Sequence, residues 1–273
     1  FLMICQLAEA GEAEQIASRV LDVLLRACRS PEVPFPLTAS IGIALAEPED
    51  TPDTLIENAD LAMYAAKQQG KGRFACYRRS LRDRLEQRHQ LQEELRQALA
   101  DDQLKAWFQP VISSAHGAVV GFEALVRWQH PARGLLTPDD FLDVAEDCGL
   151  LRSIDAVILR DACRQISGWA SCRDGIIPRL SVYVSAASLA DPRLKNDVLR
   201  VLQETGFPSG KLFLEITETT LVEDVASASD NISAIERMGI RLAIDDFGTG
   251  YSSLAYLKRF PVGILKIERS FNP

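Results

Sequence analysis

The chain has 273 residues, 47% hydrophobic and 25% charged, a composition that supports one large or two ordinary folded domains. A formal net charge of -8 excludes general affinity for nucleic acid polymers or anionic membrane surfaces, both of which require a basic face. Six cysteines (Cys5, Cys28, Cys76, Cys148, Cys163, Cys172) lie apart without a CxxC pair, which excludes a disulfide framework or zinc ribbon and suits a reduced, cytoplasmic setting. No apolar run approaches the ~20 residues of a membrane span, so no membrane contact is expected. The stretch from Phe1 to Cys5 is too short for a signal peptide.

From Phe1 to Tyr77 the pattern predicts strand, helix, strand, helix, strand, an α+β layout. Phe1 opens in an apolar, strand-like run. Ile16, Val20 and Leu24 recur every four residues in a helix over 15–25; LTASIGIALA over 37–46 reads as a strand; a helix over 54–69 stops at Gly70. Asn58, Asp60 and Lys67 are read as a helix face supporting the sheet. Residues 78–105 carry dense charge of both signs without Gly or Pro, and Leu81, Leu85, Leu91, Leu95 and Leu99 fall at helical spacing. This predicts a long linker helix with a solvated face. Its apolar positions offer a homodimer seam, although the pattern breaks near Arg88.

From Ala106 onward short apolar runs alternate with helical segments, the mark of a βα architecture. Strands are expected over 107–112, 119–126, 180–184, 211–216, 242–244 and 262–267. Between them Thr137 and Pro138 form an N-cap and first helical residue for a helix ending at Gly149, Ile154 to Ile166 make another helical stripe, and helices follow over 197–205 and 229–238. Six strands fall short of the eight that close a parallel barrel, so the expected fold is α/β, an incomplete TIM-type (β/α)8 barrel over 106–273, after a partial α+β domain (1–77) and a linker helix (78–105).

Polar residues recur near the strand ends: Gln109, Glu123 and Arg127, Glu215, Asp245 and Asp246, and Lys266. In a barrel these ends share one face, the face that carries chemistry. Asp245 and Asp246 directly follow the apolar run 242–244, and adjacent carboxylates that both stay ionised call for a cation; the plainer explanation is that they cap the next turn, where Gly248 and Gly250 permit tight backbone and Ser252 caps a short helix. Glu123 lies among Gly121, Phe122, Ala124 and Leu125, and an ionised glutamate in an apolar strand needs a partner.

Two resemblances follow from these motifs. TASIGIA (38–44) and NADLAMYAAKQQGKGRFACY (58–77) resemble the C-terminal half of a GGDEF domain, the diguanylate cyclase family. That family's signature loop would fall at or before Phe1, so no cyclase activity is expected from these residues. Glu123-Ala124-Leu125 with Arg127 and Gln129-His130-Pro131, then LEITETTL (214–221), DDFGTGYSSL (245–254) and LKIERSF (265–271), resemble an EAL domain. The resemblance covers 106–273. It implies a bacterial signalling protein of tandem GGDEF-EAL type and a barrel that hydrolyses cyclic di-GMP to linear pGpG with two Mg2+ or Mn2+ ions.

It also implies roles residue by residue. Glu123, Glu215 and Asp245 match metal ligands, with Asp246 serving the second ion and Glu268 standing where an aspartate is usual. Lys266 matches the lysine that orients or deprotonates the attacking water. Glu218 matches the glutamate that steadies the loop from Phe247, while Gln109 and Arg127 match ligand-contacting positions. In LSVYVSAASL the family's metal-binding asparagine is replaced by Tyr183, a bulkier side chain and a poor substitute for an amide oxygen. Two readings therefore stand: a metal-dependent phosphodiesterase whose catalysis Tyr183 impairs, and a degenerate domain that binds cyclic di-GMP without cutting it.

Overall fold

The computed structural model describes residues 1–9, 11–27, 38–169, 177–223, 225–248 and 262–267. The chain divides into two units, 1–90 and 91–273, and the division falls within one helix, α3 (Arg79–Ala100).

In the first unit, α1 (Gly11–Ala27) and α2 (Pro52–Gln68) accompany a pair of short parallel strands, β1 (Ile41–Ile43) and β2 (Phe74–Cys76). Thr51 and Thr54 form a reciprocal capping box at the start of α2, where Pro52 adds a residue that needs no N–H partner. Gly42 lets α2 lie directly on β1: a Cβ there would stand 1.9 Å from the Ala59 carbonyl oxygen and 2.3 Å from the Met63 nitrogen. Ala62, Ala65 and Leu81 form the small core. Three expectations change. Among the described residues Phe1–Leu7 is not a strand, since it has no pairing partner; the strand near 37–46 shrinks to Ile41–Ile43; and Leu24 is exposed, because α1 buries Ala17 and Leu21 instead.

The second unit is built on one sheet. Its order is β3 (Leu104–Ile112), β4 (Val119–His130), β6 (Arg179–Tyr183), β7 (Leu212–Thr217), β8 (Arg241–Phe247) and β9 (Val262–Ile267), with β5 (Gly134–Leu136) paired to β4. From β4 to β9 the path is parallel, as in a TIM-type barrel. The pair β3–β4 is antiparallel, against the all-parallel expectation, because the turn Ser113–Ala118 is a hairpin, too short for a crossover. Among the described residues the sheet is open, with β3 and β9 at its edges, and Trp107, Val111, Leu265 and Ile267 are exposed there. β3 begins at Leu104, so the last two residues expected in the linker helix belong to the sheet.

The helices are α4 (Pro138–Asp147), α5 (Leu151–Trp169), α6 (Ala186–Ala190), α7 (Leu194–Thr205), α8 (Glu218–Glu223) and α9 (Val225–Arg237). Alternation along the strands separates two faces. Ala124 and Trp128, Leu180 and Val182, Leu212, Leu214 and Ile216, and Leu242 and Ile244 are buried in one continuous core with Phe141, Ile158, Ile166 and Ile235 from the helices. The opposite face carries Glu123, Ser181, Tyr183, Glu215 and Asp245. His130 locks the β4–β5 turn: its Nδ1 accepts the Ala132 and Arg133 N–H groups, so Nε2 carries the proton and donates to Glu94 at 3.0 Å. No helix of the described residues is long and apolar enough to cross a membrane.

Candidate active site

Register brings the polar residues together. Glu123 on β4 lies opposite Gln109 of β3 and Ser181 of β6; Tyr183 lies opposite Glu215 of β7; Glu215 in turn neighbours Ala243, two residues before Asp245 on β8. Residues in register or two apart share a face, so residues up to about 140 positions apart in sequence meet at one place.

The meeting point is Lys266. Its Nζ lies 2.9 Å from Glu215 Oε2, 2.9 Å from Asp245 Oδ2 and 3.0 Å from Glu123 Oε1. Those three side chains each offer a carboxylate oxygen within 4.8 Å of the others. Burial alone would pull the Lys266 ammonium down, but the bonds and charges of Glu215, Asp245 and Glu123 outweigh it and hold the pKa above the usual lysine range. The lysine is a fixed cation. Glu215, with side-chain exposure of only 3%, is pushed up by burial, with Lys266 and a bond to Ser181 pulling it back and Glu123 pushing further up.

Asp245 and Asp246 are the fifth and sixth residues of β8, not residues beyond it as expected. At Asp246 the backbone turns to φ 53°, a left-handed conformation that aspartate tolerates better than most residues, and its N–H donates to Asp245 Oδ1 at 3.0 Å. The pairing with β9 slips between Ile244 and Phe247, a bulge at the point where the carboxylates emerge. Glu218, the first residue of α8, is buried and its Oε2 accepts the Gly248 N–H at 2.9 Å. Gly248 has φ 105°, a conformation that favours glycine.

Arg127 stands four residues beyond Glu123 on the same face of β4, about 13 Å along the strand. Its Nη1 donates to the Val126 carbonyl at 2.7 Å, and among the described residues no carboxylate forms an ion pair with it. Gln109 is exposed opposite Glu123. Tyr183 ends β6, 39% exposed, and nothing among the described residues hydrogen-bonds its hydroxyl. Its phenol is pushed above the usual tyrosine range by burial, then by Asp155, Glu146, Asp245 and Asp246. Glu268, Gly250, Ser252 and the helix expected after it lie outside the described residues.

Sequence reasoning missed Asp155, Ser181, Ser185 and Ser188. Ser181 bonds Glu215, and Asp155 binds both of the other serines. A capping pattern, Ser185 three residues before Ser188, was available; nothing in the helical stripe of α5 marked Asp155.

Three carboxylates surround one ammonium, so the cluster keeps a negative balance, and every donor is a hard oxygen. Such a set suits a divalent cation of the Mg2+, Mn2+ or Ca2+ kind. The fold and site together are those of a TIM-type α/β barrel with an acidic, cation-accepting mouth.

The comparisons with known proteins agree. The EAL domain family matches residues 92–272, and the diguanylate cyclase GGDEF domain family matches residues 1–73: the chain belongs to the EAL domain family, with GGDEF sequence before it. It is 37% identical over 273 residues to the cyclic di-GMP phosphodiesterase NbdA of Pseudomonas aeruginosa, covering 99% of this chain and 35% of that protein. It is 36% identical over 274 residues to the bifunctional diguanylate cyclase/cyclic di-GMP phosphodiesterase MucR of the same organism, covering 99% of this chain and 40% of that one. The solved PaMucR phosphodiesterase in its c-di-GMP complex superposes with a TM-score of 0.63 at 41% identity, over 67% of this chain and 73% of the other. The chain thus spans between a third and two fifths of the length of these curated relatives.

Proposed function

We propose that this chain acts in cyclic di-GMP signalling and hydrolyses cyclic di-GMP to linear pGpG at the mouth formed by Glu123, Glu215, Asp245 and Lys266. The observation that carries this reading is the convergence of three carboxylates on one ammonium at 2.9–3.0 Å, in a family whose relatives bear that activity in their names.

Glu123, Glu215 and Asp245 would hold a divalent ion, Mg2+ or Mn2+, with Asp246 and Glu268 serving a second. Bound metal supplies Lewis acidity toward a phosphate oxygen and lowers the pKa of a coordinated water. The chain's own residues do the rest. Lys266, ionised and tethered by all three carboxylates, would hold them in place and present its positive charge to the attacking water or a phosphate oxygen, and would not accept a proton. Arg127, with no carboxylate partner among the described residues, would offer its guanidinium to a phosphate, and Gln109, opposite Glu123, an amide. Glu218 holds the Gly248 N–H and so anchors the chain leaving β8. The test is pGpG release from cyclic di-GMP with Mg2+ or Mn2+, and its loss in Glu123→Ala and Glu215→Ala. A chain that binds the dinucleotide yet releases no product with either ion refutes the enzyme reading.

Tyr183 supports a second reading, binding without hydrolysis. It occupies the strand position opposite Glu215 where the family places a metal-binding asparagine, and a protonated phenol is a hydrogen-bond donor rather than a cation ligand. Tyr183→Asn separates the two: turnover that appears only in this variant identifies the natural chain as a sensor.

A further inference from the structure

Asp155, near the start of α5, reaches the turn that follows β6. Its Oδ2 accepts three hydrogen bonds: from the Ser185 N–H at 2.9 Å, the Ser185 hydroxyl at 2.6 Å and the Ser188 hydroxyl at 2.6 Å. Bonds of this length to a carboxylate are charge-assisted, roughly twice as strong as neutral ones. Ser185 is also the N-cap of α6, its hydroxyl oxygen accepting the Ser188 N–H at 3.2 Å. Capping a five-residue helix requires only that local bond. The carboxylate, held from a 19-residue helix anchored in the core by Ile154 and Ile158, is an added constraint.

On the other side of the turn, the Val184 N–H donates to the Glu215 carbonyl at 2.8 Å. Residue 183 is therefore fixed from both directions: by the sheet at Glu215, whose side chain bonds Lys266, and by Asp155 through Ser185. By register its side chain shares the sheet face that carries Glu215 and Asp245.

We propose that Asp155 is a positioning residue, which through Ser185 and Ser188 sets where the residue 183 side chain stands over the acidic mouth. It touches no ligand; it acts through the turn. Because residue 183 is one of the positions at which this chain departs from its family, Asp155 governs how strongly that departure is felt at the site. This last step rests on the reading of the mouth as a cyclic di-GMP site; the geometric step does not.

The test labels the whole chain with 3-fluorotyrosine and follows its five tyrosines by 19F NMR, with Tyr183→Phe assigning the resonance. In Asp155→Ala the Tyr183 resonance moves and broadens while the other four hold. Asp155→Asn, which keeps an oxygen acceptor for the same donors, recovers most of the original position. Ser188→Ala, a milder change that removes one 2.6 Å bond, moves the resonance less and in the same direction, and carries the test where Asp155→Ala fails to fold. An unmoved Tyr183 resonance in Asp155→Ala overturns the proposal; where all five resonances of that variant shift together, the mark of general unfolding, an unmoved Tyr183 resonance in Ser188→Ala overturns it.

A second arm measures cyclic di-GMP affinity by calorimetry with Mg2+. Asp155→Ala changes Kd about tenfold with Tyr183 present and less than twofold on a Tyr183→Ala background, the non-additivity of residues that act through one another. Equal changes in both backgrounds overturn the proposal. A wild-type chain that binds no cyclic di-GMP overturns the proposed function instead, and the fluorine arm still decides the role of Asp155.

Discussion

Replacing Lys266 with methionine tests the electrostatics of the mouth. The substitution keeps the stem's bulk and removes the ammonium that holds Glu123, Glu215 and Asp245 together. Their oxygens lie no more than 4.8 Å apart, and two unit like charges at that distance repel by about 3.5 kcal/mol at an effective dielectric of ~20. All four side chains are less than a third exposed, so solvent screening removes only part of this. Uptake of a proton by Glu215, whose pKa burial already raises, relieves another part. The expected cost is about 3 kcal/mol, at the low end of the range for removing one member of a buried ion pair. Trp107, Trp128 and Trp169, the three tryptophans of the chain, all lie in the 91–273 unit, so their fluorescence reports that unit alone in urea. With a urea dependence of about 2 kcal/mol/M, the midpoint in EDTA falls by about 1.5 M. Millimolar Mn2+ then raises the midpoint of Lys266→Met more than that of the wild type, because three carboxylates without an internal cation bind a dication more tightly and binding stabilises the folded state. An unchanged midpoint in EDTA refutes the argument that the ammonium holds the cluster.

Other outcomes rest on single features. Gly42→Ala places a Cβ 1.9 Å from the Ala59 carbonyl oxygen, so α2 must move off β1; destabilisation of the first unit by at least about 2 kcal/mol is expected, read from thermal melts. Burial pushes the Cys163 thiol up to about 12, so about one part in ten thousand is thiolate at pH 8; alkylation followed by mass spectrometry labels exposed Cys5 within minutes and Cys163 only on unfolding, and a native Cys163 as reactive as Cys5 contradicts its burial. Gly248→Ala forces a side chain onto φ 105° and costs about 1–2 kcal/mol; because the Gly248 N–H is the group that Glu218 holds, Glu218→Ala is expected to add little to it in a double-mutant cycle read by urea midpoints.

Strand positions near the site were largely legible because burial on one face leaves a period of two, and β9 falls at 262–267 as the apolar run predicts. The Thr137-Pro138 start of α4 was legible for the same kind of reason: capping is a local contest between a side chain and the backbone, and its signal sits within four residues. Glu123 stood out as a charge in an apolar strand, and Lys266 is the partner that its burial demanded. What escaped depends on contacts remote in sequence. Asp155 looks like any solvent-facing helix residue until β6 brings Ser185 and Ser188, 30 and 33 positions away, to its carboxylate. The antiparallel β3–β4 pair turns on hairpin geometry in Ser113–Ala118, where Gly117 takes a positive φ that the residue order suggests but does not require.

The mouth poses an electrostatic problem that separates its two readings. On the proposed function a cyclic dinucleotide would bring two phosphate charges to a face already lined by Glu123, Glu215 and Asp245, on a chain of net charge -8. Lys266 is engaged by three of those carboxylates, and toward the same end of the strands Arg127 has no carboxylate partner among the described residues. One guanidinium does not offset two phosphates and a surplus of carboxylates, so tight binding requires added positive charge, and divalent ions supply it whether or not a bond is cut. Metal dependence of binding is thus expected for the enzyme and the sensor alike. Metal dependence of pGpG release belongs to the enzyme alone, and residue 183, opposite Glu215, is where the two part.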